Sequence, residues 1–272
     1  MMELSVIEQI AAEIRAALKT GTPIAPFSSR YPDFGLVEGY RVAARLHDDR
    51  VARGEIAIGR KIGFTNRLVW AKHGISAPIW GYLYNTTVRQ LGDREESFSL
   101  SGRPEPRIEP EIVLHLAGRP EPEMSEPDLL ACIDWVSHGF EIVQSPFPGW
   151  ALGAADAVAA EAVHVSLLLG RPRQITGDRS NWLAALADFS VELNGPRAIV
   201  RSGRGRDALG SPLTALRFLV AELARNGTAP PLAAGEIVTT GTLTEAMPIR
   251  AGEVWTTILD GIDLPGLHLR LG

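Results

Sequence analysis

Residues 107–116 read Arg-Ile-Glu-Pro-Glu-Ile-Val-Leu-His-Leu. The apolar run that follows the two glutamates predicts a β-strand. In a strand, residues two apart share a face, so Glu109 and Glu111 project together. If that face points inward, two like charges repel and are poorly solvated. A bound cation relieves both costs, and hard cations such as Mg²⁺ or Mn²⁺ take carboxylate and water oxygens. Spacing alone is equally compatible with an exposed edge strand carrying two solvated glutamates. Pro110 favours an edge or strand-start position under either reading, because it has no N–H to give to a central ladder.

Downstream of this segment, short β patterns recur between turn residues: CIDWVSHGFEIVQS, HVSLLLG, FSVELNG, AIVRSGRG, GEIVTTGT, EVWTTILDG and LHLRLG. That density predicts a sandwich or barrel-like β core. One helix interrupts it, Ser211 to Asn226, with Ser211 as N-cap, Pro212 at the first helical position and Gly227 beyond the end. Upstream, a polar stretch from Gly92 to Arg107 looks like a linker. Before it, amphipathic helical patterns at about 3–19 and 35–53 precede an apolar strand-like run, Glu55 to Thr65. The expected division is an N-terminal α/β domain, 1–92, and a β-rich domain, 93–272.

The whole chain has 272 residues, 45% of them hydrophobic, enough for a sizeable core. Its net charge is −5 with no run of basic residues, which argues against a nucleic-acid partner. No apolar run approaches the roughly 20 residues that span a bilayer. The N-terminus reads as an amphipathic helix rather than a signal peptide. The single cysteine, Cys132, permits no internal disulfide, so a cytoplasmic location is expected. Its apolar neighbours suggest a buried structural thiol.

Three further segments hold polar groups in apolar surroundings. Glu141, in His138-Gly-Phe-Glu-Ile-Val, would complete a three-carboxylate site on a neighbouring strand or would pair with an arginine. Lys61, flanked by glycines in Gly59-Arg-Lys-Ile-Gly, either snorkels to solvent or points into a cleft, where it binds a carboxylate or moves a proton. The clustered hydroxyls and glycine turn of Thr239-Thr-Gly-Thr, Thr240 and Thr242 among them, offer hydrogen bonds to a substrate carboxylate or simply line a β surface.

Taken in order, GRKIGFT near residue 60, IEPEI near 110, FEIVQS near 141, the LGSPLTALRFL helix and GEIVTTGTLTEAMPIRAGE resemble the 2-keto-4-pentenoate hydratase and 4-oxalocrotonate decarboxylase family. This is a branch of the fumarylacetoacetate hydrolase superfamily, and the likeness runs from about residue 30 to the C-terminus. The resemblance implies an α+β fold, a mixed β-roll core with a smaller N-terminal α/β domain, assembled as a homo-oligomer. It implies Mg²⁺ or Mn²⁺ on Glu109, Glu111 and Glu141, with Lys61 in the active site and a small 2-keto or 2-hydroxy-dienoic acid as substrate. It implies hydration of 2-hydroxypenta-2,4-dienoate to 4-hydroxy-2-oxopentanoate, or decarboxylation of an oxalocrotonate. A dicarboxylate would need a further cation, for which Arg60, Arg67 and Arg107 are candidates. The sequence departs from the family pattern at Ile79 and Gln144, each in place of an acid, and at Pro146, in place of an arginine. Asp156 matches a family aspartate, and His164 stands where a serine-rich stretch is expected, as a substitute acid or base or as a core histidine. These departures leave room for a protein that binds metal and keto acid without turnover.

Overall fold

The computed structural model describes residues 2–67, 70–92, 96–227 and 229–272. Helices α1 (Leu4–Thr20), α2 (Phe27–Arg30) and α3 (Leu36–Ala52) come first. On α1, Ile7, Ile10, Ala11, Ile14 and Ala17 are buried at the three-and-four spacing of one helix face. The first four of these pack on Phe27, Phe34, Val42 and Phe147, so the helical layer has its own apolar cluster.

Then come β1 (Ala57–Gly63), α4 (Trp70–His73), β2 (Ile79–Tyr84), β3 (Val88–Gln90), β4 (Glu96–Phe98) and β5 (Arg107–Leu116). After α5 (Glu126–Ala131), β6 (Ile133–Val143) returns beside β5, followed by α6 (Ala154–Ala159), β7 (His164–Leu169), β8 (Arg173–Gln174) and α7 (Arg179–Asp188). The chain closes with β9 (Ser190–Gly195), β10 (Ile199–Arg204), α8 (Pro212–Asn226), β11 (Ile237–Thr242), β12 (Met247–Pro248), β13 (Val254–Asp260) and β14 (His268–Leu271). Helix α8 has the expected caps: the Ser211 hydroxyl accepts from the Thr214 amide, and Gly227 is left-handed.

Two mixed sheets form the core. The larger runs β2-β1-β11-β5-β6-β7-β3, with β12 on β5 and β8 on β6. The smaller runs β10-β9-β13-β14-β4. Apolar side chains fill the space between them, among them Ile108, Phe140 and Leu168 from one sheet and Leu193, Trp255 and Leu269 from the other. A second cluster joins β5 and β6 to α5, α7 and α8. Covered on both faces, β6 is buried along nearly its whole length, which explains its unbroken apolar run.

Three expectations meet a different arrangement. Strands β1, β2 and β3 precede residue 92 yet belong to the larger sheet, so the expected boundary at 92/93 cuts through that sheet. Pro110 is not at an edge; β5 lies between β11 and β6. The proline is tolerated because β11 bulges opposite it, its register shifting between Thr239 and Thr242. Cys132 is half-buried rather than enclosed, because it caps the C-terminal end of α5.

Candidate metal centre

Glu109 and Glu141 are direct register partners across β5 and β6, and Glu111 lies one pleat further along β5. A carboxylate oxygen from each of the three lies within 4.8 Å of the others. Glu111 and Glu141 are fully buried, while Glu109 is half-buried and opens into a cavity. The bulge in β11 serves this cluster: it frees the Gly241 amide to donate to Glu111 Oε2 at 2.9 Å. Only glycine fits there, because Gly241 has φ +93° and an added Cβ would stand 2.2 Å from the Thr65 hydroxyl oxygen. Two carboxylate oxygens, Glu111 Oε1 and Glu141 Oε2, are buried without a hydrogen-bond partner, as is the Thr239 hydroxyl. Buried acceptors left in this state are costly, and a divalent cation satisfies them. The donor set, all oxygen, fits Mg²⁺ or Mn²⁺.

Lys61 reaches this cluster from β1. It is 2% exposed, its ammonium donates to the Ala162 carbonyl at 3.2 Å and lies 3.4 Å from Glu141 Oε2. Burial opposes its charge, but the surrounding carboxylates, Glu141 foremost, outweigh burial and raise its pKa. Burial pushes the Glu109 carboxyl up to about 8, Lys61 pulling it down and the other two carboxylates pushing it further up. Glu111 is raised well above the carboxylate range and Glu141 is raised as well, burial being the main cause in each.

The Ala162 carbonyl is presented by three successive left-handed residues, Glu161, Ala162 and Val163, with φ of 57°, 52° and 59°. None is glycine, so this turn is strained. Gly81 on β2 makes room for it, since a Cβ there would lie 2.9 Å from that of Ala162.

Two histidines brace the carboxylates. The His164 ring has Nδ1 2.8 Å from Glu141 Oε1 and Nε2 3.0 Å from the Thr87 hydroxyl. Burial, with Lys61 adding to it, lowers its pKa to about 3, so the ring is neutral and Nδ1–H donates to the carboxylate. His138 has Nδ1 2.9 Å from the Glu111 carbonyl oxygen and Nε2 2.9 Å from the Thr257 hydroxyl on β13, tying the two sheets together at the site. Burial lowers its pKa to about 4.

The cavity over Glu109 and Lys61 has a volume of about 610 Å³. Thr242 lines it, whereas Thr240 is buried beneath and donates to the Ile112 carbonyl at 3.1 Å. Ile79 supplies apolar wall. Asp156 lies apart from the cluster: its oxygens accept from the Ser28 amide and hydroxyl and from the Gly153 amide, fastening α6 to α2. His164 stands behind Glu141 and does not line the cavity. Arg107 lies over the Trp150 ring, 4.2 Å from its centroid, and it is Trp150 that lines the cavity. Gln144 is buried and its Oε1 has no partner; the Pro146 carbonyl accepts from the Ile24 amide. Sequence reading missed His138 and the Ala162 carbonyl, and it aimed the glycine turn at a substrate carboxylate where the Gly241 amide donates to Glu111. Only Gly241 carried a signal, a glycine between threonines in a strand pattern.

No family model matches the chain. A 2-keto-4-pentenoate hydratase of Dechloromonas aromatica is 31% identical over 259 residues, covering 94% of each chain. The chain belongs to the 2-keto-4-pentenoate hydratase family. Within it, a 2-hydroxyhexa-2,4-dienoate hydratase of Comamonas testosteroni is 30% identical over 96% of this chain and 97% of its own length. Among solved structures, 4-oxalocrotonate decarboxylase from Pseudomonas putida G7, complexed with magnesium and adipate, superposes with a TM-score of 0.90 at 23% identity. It covers 100% of this chain and 99% of the decarboxylase. The expected α+β, fumarylacetoacetate hydrolase-like fold is thereby borne out for this hydratase-family chain.

Proposed function

We propose that this chain is a Mg²⁺- or Mn²⁺-dependent lyase that hydrates 2-hydroxypenta-2,4-dienoate, or a close analogue, to 4-hydroxy-2-oxopentanoate. The observation that carries the proposal is the triad of carboxylates, with Glu111 Oε1 buried and unbonded and Glu141 Oε2 facing only the Lys61 ammonium, at a cavity. When bound, the cation supplies electrophilic stabilisation of negative charge that develops on the 2-oxygen. Glu109, Glu111 and Glu141 would hold it. The Gly241 amide and His138 fix Glu111, and His164 fixes Glu141, so His164 acts as a positioning residue. Lys61 binds the substrate carboxylate or carries a proton between the enol oxygen and the substrate's carbon chain. Thr242 adds a hydrogen-bonding edge, and apolar walls exclude bulk water. Asp156, Thr240 and Arg107 keep structural tasks in this reading.

A second reading, decarboxylation of an oxalocrotonate, is supported by the likeness to the Pseudomonas decarboxylase. Metal-stripped protein given either substrate, with and without Mg²⁺ or Mn²⁺, separates the two. Metal-dependent loss of the dienoate's ultraviolet absorbance is the expected result, and release of CO2 from the oxalocrotonate alone would replace the first reading by the second. Lys61→Ala is expected to keep Mg²⁺ binding while turnover falls on the order of 10²-fold. Unchanged kinetics would remove Lys61 from the site. Assembly as a homo-oligomer in the cytoplasm completes the proposal, and sedimentation of a monomer at working concentration would contradict the assembly.

A further inference from the structure

A second cavity, of about 390 Å³, lies between the C-terminal halves of α1 and α3 and the start of β7. It shares no described lining residue with the cavity over Glu109 and Lys61. The left-handed turn divides the two: Glu161 lines this cavity, whereas Ala162 and Val163 line the other.

Five cationic side chains line it against two acids. Arg15 pairs with Asp49, and Arg50 grips both oxygens of Glu161. Arg53 lies 3.2 Å from Glu55, which stands outside the cavity. That leaves Lys19 and Arg103, which form no ion pair among the described residues. Both are exposed. Their chain segments meet where Gly21 packs on Gly102: a Cβ on Gly21 would stand 3.3 Å from the Gly102 carbonyl oxygen. Partial burial, with the like charge of Arg50 adding to it, lowers the Arg103 pKa, and a bound anion would offset both effects.

A third group points the same way. Gln144, also in the lining, is 3% exposed, and its Oε1 is buried without a hydrogen-bond partner. An orphaned acceptor is costly, and what satisfies it is a donor. The lining therefore asks two things of one ligand, negative charge for Lys19 and Arg103 and a hydrogen-bond donor for Gln144.

We propose that this cavity is a second binding site, for a small hydroxylated dicarboxylate: its carboxylates meet Arg103 and Lys19, and its hydroxyl donates to Gln144 Oε1. The guanidinium of Arg103 offers a planar fork that takes a carboxylate through two N–H donors. The volume accommodates a carbon skeleton between the charged ends.

Calorimetry on the full chain tests it, with the protein kept metal-free because such acids chelate Mg²⁺. L-Malate and succinate are the probes, two four-carbon dicarboxylates that differ by one hydroxyl. The wild type is expected to bind malate about fivefold more tightly than succinate. Arg103→Gln should weaken both about tenfold, and it removes an exposed side chain that forms no ion pair among the described residues, so the fold is kept. Gln144→Met should bring malate down to the affinity of succinate and leave succinate unchanged. Lys61→Ala should leave both affinities as they are, because Lys61 lies in the other cavity. Absence of saturable binding, equal affinity of the two acids for the wild type, or affinities untouched by Arg103→Gln would each overturn the proposal. Loss of binding in Lys61→Ala would overturn it too, by placing the acids at the metal cavity.

Discussion

Glu141→Gln protein is expected to lose Mg²⁺ binding and on the order of 10³-fold in turnover, while at a pH above the Glu109 value of about 8 its metal-free form becomes more heat-stable than metal-free wild type. Glutamine preserves the shape of the side chain and still offers a carbonyl oxygen to His164 Nδ1–H, so packing around β6 is kept. What changes is charge. Three clustered carboxylates share one lysine in the wild type, and the variant leaves two. Once the rise in pH has taken protons off the cluster, removing one of its like charges relieves repulsion, which we put at about 1 kcal/mol. A titration with Mg²⁺ and two melting curves without metal check both halves. A variant that melts below wild type would mean that attraction between Glu141 and Lys61 dominates, and that the cluster is stable without a cation.

Metal-free wild type is also expected to lose stability as pH rises from about 7 to about 8.5, and added Mg²⁺ should abolish that loss. Glu109 titrates at about 8 when folded, above its ordinary range, and Glu111 and Glu141 are shifted in the same direction. A group whose folded pKa is raised stabilises fully below its unfolded value and ceases to do so as pH climbs through the folded one. The loss is about 1.4 kcal/mol per pH unit for each proton that the folded chain retains and the unfolded chain does not. His138 and His164 act oppositely but at lower pH: their folded values of about 4 and about 3 make stability rise with pH up to the ordinary histidine range. Above neutrality they are uncharged in both states, so the carboxylates alone set the slope. Chemical denaturation at a series of pH values, with chelator or with Mg²⁺, measures it. A flat metal-free profile above neutrality would show that the cluster sheds its protons without cost.

The elements that local chemistry dictates were legible in the sequence. Helix α8 carried its own start and stop in Ser211, Pro212 and Gly227, and β5 through β7 announced themselves by apolar runs between turns. Helix α5 was passed over although Ser125 and Asp128 form a capping box, and α6, whose residues are mostly alanine, has no side-chain signal that separates it from a loop. At the site, the pairing of Glu109 with Glu111 followed from spacing. The partnership of Glu109 with Glu141 did not, because it depends on the alignment of strands more than thirty positions apart. His138 was missed and His164 was ambiguous for a similar reason: their roles are set by a backbone carbonyl and a carboxylate that only the folded sheets bring within reach.

That alignment of Glu109 with Glu141 has a mechanical consequence. Their separation is dictated by the lattice of backbone hydrogen bonds between two central strands, with no loop to lengthen or shorten it. The coordination cage therefore exists before its guest, and an arriving ion has only to dislodge protons. Occupancy is then governed by acidity and by dehydration of the ion, and exchange of one metal for another should leave the chain's contour unaltered.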